Sequence, residues 1–336
     1  MRRILRQQFP SKTFSVIAVL IFMAALTACN SKSAPLSTPT LAEPPKPADS
    51  KPPEPSAVPP TKVPTPTDVP TVPALLAEPQ RVDFEAEDGK QLVGHYYPAA
   101  SNPAPLVILM HWAGGDERDW LAIAPWLQNR PDELANFPGW ENTIGADCGA
   151  QMEGPWLNPS EFPIMPTNVS FNVFTFTFRN FCGSESGLND PQKYALDAKA
   201  AFTTGSELPG VDAHQIVAIG ASIGADGAAD GCLLHNQGSS TCLGAFSLSP
   251  GNYLKIVYLE VVNDLDDDII PPEVPVWCLA AEDDTPSANT CRSASGDHYE
   301  MIMYDGNDHG MLLIEPDREP DPMELIQDFL EETLGG

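Results

Sequence analysis

A mostly parallel β-sheet covered by helices is the fold this 336-residue sequence predicts for everything after residue 80. Three observations predict it. Apolar runs of strand length alternate with helical stretches along the chain, the pattern of βαβ units. The region holds about 255 residues, the size of one large α/β domain. One apolar run, QIVAIGAS, leads through a Gly-flanked Ser222 directly into a stretch of small residues with helical character.

Each element has its own signal. Residues 82–99, VDFEAEDGKQLVGHYYPA, read as an antiparallel pair turned at Asp88-Gly89. APLVILMH (104–111) is a buried strand, followed by the loop HWAGGDERD and the helical WLAIAPWLQNR (120–130). FNVFTFTFRN (171–180) resumes the sheet, and a helix follows over 191–204. QIVAIGAS (215–222) is the next strand and IGADGAADGCLLHN (223–236) the next helix. TCLGAFSLS (241–249), VPVWCLAAE (274–282) and YEMIMYD (299–305) are three further strands, and PMELIQDFLEETL (322–334) closes the chain as an amphipathic helix. Residues 131–168 interrupt this rhythm. They are rich in Pro, Gly, Asn and Trp and read as an insertion whose Phe137, Trp140, Trp156 and Phe162 either shield a pocket or decorate the surface. The stretch between SLSPG and VPVW is too short for a large helical cap.

Ahead of the domain lie two segments of different character. Arg2, Arg3, Arg6 and Lys12 precede an apolar run from Phe14 to Leu26. At about 13 residues that run suits a cleaved export signal better than a span, which needs roughly 20. Leu26-Thr27-Ala28-Cys29 resembles the lipobox of bacterial lipoproteins, which implies acylation of Cys29 and an extracytoplasmic protein anchored by lipid to a bacterial membrane. Residues 30–80 are dominated by Pro, Ser, Thr, Ala and Lys, with almost no aromatic residue to build a core. They read as an extended, disordered tether.

Composition narrows the partners. The net charge of −28 repels phosphate backbones, which argues against nucleic acid and otherwise speaks for solubility. Besides Cys29 there are six cysteines, an even number that fits disulfides in an exported chain. Cys232–Cys242 and Cys278–Cys291 would each close a short loop, which leaves Cys148 for Cys182. No CxxC or HExxH spacing occurs, nor a phosphate-binding or dinucleotide loop, so neither metal nor cofactor is implied. Asp264, Asp266 and Asp268 begin like a calcium loop, but Ile269 and Pro275 stand where it needs Gly and Glu.

Gly220-Ala221-Ser222-Ile223-Gly224 is a G-x-S-x-G between a strand and a helix. Small neighbours let the serine sit on a sharp turn with its hydroxyl lifted free, while the helix N-terminus favours developing negative charge. A nucleophilic serine needs a base. Of the six histidines, His309 lies in the loop DGNDHGMLL just after the last strand, where an imidazole can reach over the sheet edge. His298 opens that strand at the wrong end, His95 precedes the core sheet, and His235 faces the end of the nucleophile helix. Surface or core roles suit these better, and His111 and His214 likewise. The orienting carboxylate is expected after VPVWCLAAE: Asp284 first, then Asp283, then Glu282. The oxyanion is expected to meet the N–H of Ile223 and one from the loop after LVILMH.

That loop, His111-Trp112-Ala113-Gly114-Gly115, resembles the H-G-x-x-G oxyanion loop of α/β-hydrolases, especially the dienelactone-hydrolase-like and related esterase groups, with Trp112 in place of the usual Gly. FTFTFRNFCGSESG resembles their D-x-R-G-h-G-x-S segment, with Arg179, Gly183 and Ser184 kept and Cys182 altered, and SLSPGNY resembles the sixth-strand segment. The likeness runs over residues 82–334. It implies an α/β-hydrolase fold, a structural His111, an oxyanion hole from Ile223 and Ala113, and hydrolysis of a small-molecule ester or lactone by Ser222, His309 and Asp284. A peptidase or amidase of the same fold, or an inactive anchored binding protein, are the alternatives.

Overall fold

In the computed structural model, residues 75–146, 148–149, 158–187, 190–238, 241–254, 256–266 and 274–335 are described. The expected signal segment with Cys29, residues 30–74 of the expected tether, and Trp156 lie outside them. The described residues fall in the second of two compact units, residues 68–336.

Eight strands form one sheet: β1 (Gln80–Glu85), β2 (Gln91–Tyr97), β3 (Ala104–Met110), β4 (Asn172–Thr177), β5 (Val211–Ala221), β6 (Cys242–Leu248), β7 (Val276–Ala281) and β8 (Tyr299–Tyr304). Their spatial order is β1-β2-β4-β3-β5-β6-β7-β8. β1 pairs with β2, and β2 with β4, antiparallel; every other pair is parallel. The first turn falls where the sequence puts it, with Gly89 at φ +83°. His95 is within β2 rather than ahead of the sheet.

Seven helices accompany the strands among the described residues: α1 (Ile123–Gln128), α2 (Pro131–Leu134), α3 (Tyr194–Ser206), α4 (Ile223–Asn236), α5 (Tyr258–Leu265), α6 (Thr285–Ser293) and α7 (Pro322–Leu334). None is long and apolar enough to cross a membrane. They cover both faces of the sheet, which is why its parallel strands read as unbroken apolar runs. Alternate residues serve the two faces. Leu106, Ile108 and Met110 of β3 join Ala198, Phe202, Ala229 and Val261 under α3, α4 and α5. Val107 and Leu109 join Ile123, Leu127, Ile326 and Phe329 under α1 and α7. This mixed sheet, with helices on both faces and a G-x-S-x-G turn after the fifth strand, is the α/β-hydrolase fold.

α5 and α6 add two helices to the expected set. α5 buries Tyr258, Val261, Val262 and Leu265, a helical stripe squeezed into the short stretch before β7. α6 begins with Pro286 in its first turn and buries Ala288 and Cys291. Residues 75–79, assigned by composition to the tether, pack against the domain. Ala77 is buried, its carbonyl accepts from Gln128 Nε2 at 2.8 Å, and Leu75's carbonyl accepts from Arg130 at 2.9 Å.

The described part of 131–168 packs Trp140, Ile144 and Met165 into the core beneath α1. With α1 it frames an open groove of about 960 Å³ walled by Trp126, Phe137, Trp140 and Phe162. Neither Ser222 nor His309 is among the groove's lining residues. Three disulfides join Cys148–Cys182, Cys232–Cys242 and Cys278–Cys291, the pairing expected from loop lengths.

Candidate active site

Chain order and sheet order part company around β3. The chain passes from β3 to β4 on one side and returns to β5 on the other. Crevices at the carboxyl ends of strands flanking such a reversal are where ligands bind in open α/β sheets. The loop 111–115 leaves β3 there, and Ser222 follows β5 beside it.

Ser222 sits at φ +54°, ψ −113°, between β5 and α4. A non-glycine residue held there costs of order 1–3 kcal/mol, which the surroundings must over-determine. They do. Ser222 N–H donates to the Leu248 carbonyl at 2.8 Å. A Cβ at Gly220 would run into the Gly224 carbonyl, and one at Gly224 into the carbonyls of Met110 and His111. The two glycines therefore let α4 start hard against the end of β3. Gly227 and Gly231 continue the close approach, against Met110 and Phe202.

His309 lies in the loop after β8, and Asp284 is the residue before α6. The Asp284 carboxylate accepts from His309 Nδ1 at 2.7 Å. That bond leaves Nε2 as an acceptor, and Ser222 Oγ stands 2.8 Å from it. The three side chains expected from sequence are thus joined in one run at one rim of the sheet. The other two acidic candidates are turned elsewhere: Glu282 pairs with Arg292, and Asp283 is exposed. The His309 loop is further held by Arg318, bonded to Asp308 at 2.5 Å and Glu315 at 2.9 Å.

The remaining histidines serve other ends. His95 bonds Glu117 at 2.9 Å in the interior, and His298 bonds Asp266 at 3.0 Å. His235 stacks on Phe202, and His214 is exposed. His111 is fully buried with both nitrogens used. Nδ1 donates to the Trp112 carbonyl at 2.7 Å, and Nε2 accepts from the Phe178 N–H at 3.0 Å. Burial pushes its pKa down to about 4, so it stays neutral and pins the loop after β3 to the end of β4. Gly115 N–H closes a turn on the Trp112 carbonyl at 3.2 Å, which puts Ala113 at the exposed tip. Ile223 is the first residue of α4, packed by Gly224 against that same loop. Trp112 does not project into solvent. Its indole folds back over Gly114 and reaches Gly310, and it is 7% exposed.

Ser249 and Tyr253, which lie in the SLSPGNY segment but receive no role from the sequence, also belong to this rim. Ser249 Oγ accepts from the Gly310 N–H at 2.9 Å, and the Tyr253 ring meets the His309 ring edge-on, centroids 6.2 Å apart. Among the described residues no group of three or more His, Cys, Asp or Glu is arranged to hold a metal ion. Asp266 of the calcium-like triplet caps residues 297–298 instead.

No family model and no curated protein matches the chain. Among solved structures, it is similar to an esterase of Pyrococcus furiosus at 16% identity over 77% of this chain and 94% of that one, with a TM-score of 0.47. It is also similar to acetyl xylan esterase 1 of a Thermoanaerobacterium species (15% identity, 78% and 86% covered, TM-score 0.47). A third is a dienelactone hydrolase of Anabaena variabilis (12% identity, 76% and 99% covered, TM-score 0.46).

Proposed function

We propose that the chain is a serine hydrolase that cleaves carboxylic esters or lactones through an acyl-enzyme. The observation that carries this reading is the unbroken run Ser222–His309–Asp284, with both hydrogen bonds under 3 Å in length. Ser222 Oγ attacks the carbonyl carbon while its proton passes to His309 Nε2. Asp284 holds the ring with Nδ1 protonated and offsets the charge of the imidazolium. The carbonyl oxygen, now negative, turns to the N–H groups of Ile223 and Ala113, each such donor being worth about 2.7–4 kcal/mol. Nε2 then protonates the leaving oxygen, the C–O bond breaks, and water repeats the cycle on the acyl-serine. Every proton moves between side chains of this chain, substrate and water.

The test is a panel of acyl esters, lactones and peptides, together with a fluorophosphonate probe. Labelling at Ser222 and ester turnover, both abolished by Ser222→Ala and strongly reduced by His309→Ala and Asp284→Asn, are expected. Undiminished turnover in the last two variants overturns the roles of His309 as base and Asp284 as its orienting partner, and turnover of peptides alone makes the chain a peptidase.

For the N-terminus we propose acylation at Cys29 after removal of residues 1–28, with residues 30–74 tethering the domain at the outer side of a bacterial membrane. Incorporation of labelled palmitate that disappears in Cys29→Ser is the expected result.

A further inference from the structure

Gly, Ala and Leu supply eight of the fourteen residues of α4, yet Asp226 sits inside it, one turn beyond Ser222 and 1% exposed. Its carboxylate does not reach Ser222 or His309. It faces the loop after β6 and accepts backbone N–H groups from it. Gly251 donates to Oδ1 at 3.0 Å, and Tyr253 and Leu254 donate to Oδ2, the latter at 3.3 Å. A small carboxylate thereby gathers donors that the loop's own geometry leaves pointing inward. Two non-glycine residues of that loop lie in the left-handed region, Ser249 at φ +57° and Asn252 at φ +58°. Such backbone persists only where contacts hold it.

The same loop reaches both partners of Ser222. Ser249 Oγ accepts the N–H of Gly310, the residue after His309, and the Tyr253 ring abuts the imidazole itself. Asn252 Nδ2 donates to Thr290 Oγ1 at 3.2 Å on α6, the helix that Asp284 opens.

We propose that Asp226 is a positioning residue: from the nucleophile's own helix it clamps the loop 249–254, and through that loop it sets His309, and by α6 Asp284, against Ser222. The inference rests on the hydrolase reading for its effect on rate, though the clamp itself is a matter of geometry. Asp226→Asn keeps size and shape but turns an NH₂ toward backbone donors, so one side of the clamp is lost.

Two measurements test it on the intact protein. The first is backbone amide exchange, which needs no activity. Asp226→Asn is expected to speed exchange across 249–254 and, at a distance, at Gly310. The second is ester turnover. Asp226→Asn and Ser249→Ala are each expected to lower kcat about tenfold or more with KM within about threefold, as for groups that tune the reacting geometry rather than binding. Because they sever one chain of contacts, the double variant is expected to be barely worse than either alone. Unchanged exchange at Gly310 in Asp226→Asn, or strictly multiplicative losses in the double variant, overturns the proposal. Faster exchange at Gly310 in a protein that hydrolyses no ester would leave the clamp standing and remove the hydrolase reading. Should Asp226→Asn not fold, Ser249→Ala reads the link from its far end, and wild-type kcat with wild-type Gly310 exchange there refutes it equally.

Discussion

The Trp112 indole lies against the backbone of Gly310, the residue after His309. A Cβ at Gly310 would stand 3.0 Å from the indole ring and 3.6 Å from Ser222 Cβ, at φ +59°. Trp112, Gly310 and Ser222 therefore converge on one point, and the indole fills space that a glycine at 112 would leave open beside the nucleophile.

Trp112→Gly is accordingly expected to admit larger acyl groups. The wild type should favour acetyl over octanoyl esters by tenfold or more in kcat/KM, since a blocked pocket discriminates by about 1–3 kcal/mol. The variant should narrow that ratio while losing stability, as removal of a buried indole costs about 3–5 kcal/mol. A series of p-nitrophenyl esters on both proteins checks it; an unchanged chain-length profile refutes it. Gly310→Ala, strained by φ and crowded by the ring, should lower turnover of every ester alike.

Asp226 makes a stability prediction of unusual sign. Burial pushes its pKa up from 3.8 to about 6, even against the backbone donors that favour the anion. Between those two pH values the folded chain holds a proton that the unfolded chain has released. The contribution to stability is thus fully present below pH 3.8 and lost as pH rises through about 6, to an extent of about 3 kcal/mol. Asp226→Asn should remove this slope, so that urea midpoints of the variant gain on the wild type between pH 4 and pH 7. A variant that loses ground over the same interval contradicts the assignment. A carboxylate that costs stability when ionised is kept for what the anion holds.

How far the sequence carries follows from where each signal resides. β3 and the second half of β5 are legible because both their faces are buried, so APLVILM and IVAIGA are apolar without a break. α4 is legible for its small residues, and residues 223–236 are its bounds in the structure. α5 has a proper helical stripe at 258, 261, 262 and 265, but eight residues beside an acidic run leave little period to recognise. α6 buries a face of mostly small or polar residues, Ser287, Ala288, Thr290 and Cys291, with little apolar signal; the Cys278–Cys291 bridge and a proline at its start add to its hold. The same distinction applies at the rim. Ser222 and His309 carry local motifs, and Asp284 could be ranked within an acidic run but separated from Asp283 and Glu282 only by direction. Ser249 and Tyr253 lie in the recognisable SLSPGNY segment, but their roles are defined by what they touch across the sheet edge, which that pattern does not record. For Asp226 a signal did exist: an acid one turn into a Gly-Ala helix has to be satisfied by something.

The disulfides should differ in what they support. Cys148–Cys182 closes the longest loop, with a sequence separation of 34, against 10 and 13 for the others. Chain entropy gives it about 3–4 kcal/mol and the shorter two about 3 kcal/mol each. It also holds Cys148 next to Gly149, whose carbonyl accepts from Arg118 at 3.0 Å; Arg118 in turn pairs with Asp116, just after the 111–115 loop. Cys148→Ser with Cys182→Ser is therefore expected to lower Tm and turnover together. Cys278→Ser with Cys291→Ser should act mainly on Tm. Equal turnover in both double variants at a temperature where each is folded would separate the Arg118–Gly149 contact from the site.

Arg179, at the end of β4, offers the sharpest stability test because three elements meet on one guanidinium. Its side chain is 2% exposed. Nε and Nη2 bond Asp197 of α3 at 2.8 and 2.6 Å, while Nη1 and Nη2 bond Asp88 of the β1–β2 turn at 2.7 and 2.9 Å. Asp197 is wholly buried, so Asp197→Ala leaves the interior side of the guanidinium without its partner and should cost about 3–5 kcal/mol. Asp88 is a quarter exposed and leaves Asp197 in place, so Asp88→Ala should cost about 1 kcal/mol or less. The hydrogen bond from Arg179 holds the Asp88 carboxyl down at about 2. With the folded pKa below the unfolded 3.8, its contribution is present above pH 3.8 and fades as pH falls toward 2. Urea unfolding at pH 7 and pH 3 should show Asp88→Ala closer to the wild type at the lower pH, whereas Asp197→Ala should remain far below it at both. Equal losses from the two substitutions at pH 7 would mean that Arg179 relies on neither carboxylate in particular, and the interior pair would not be what joins β4 to α3.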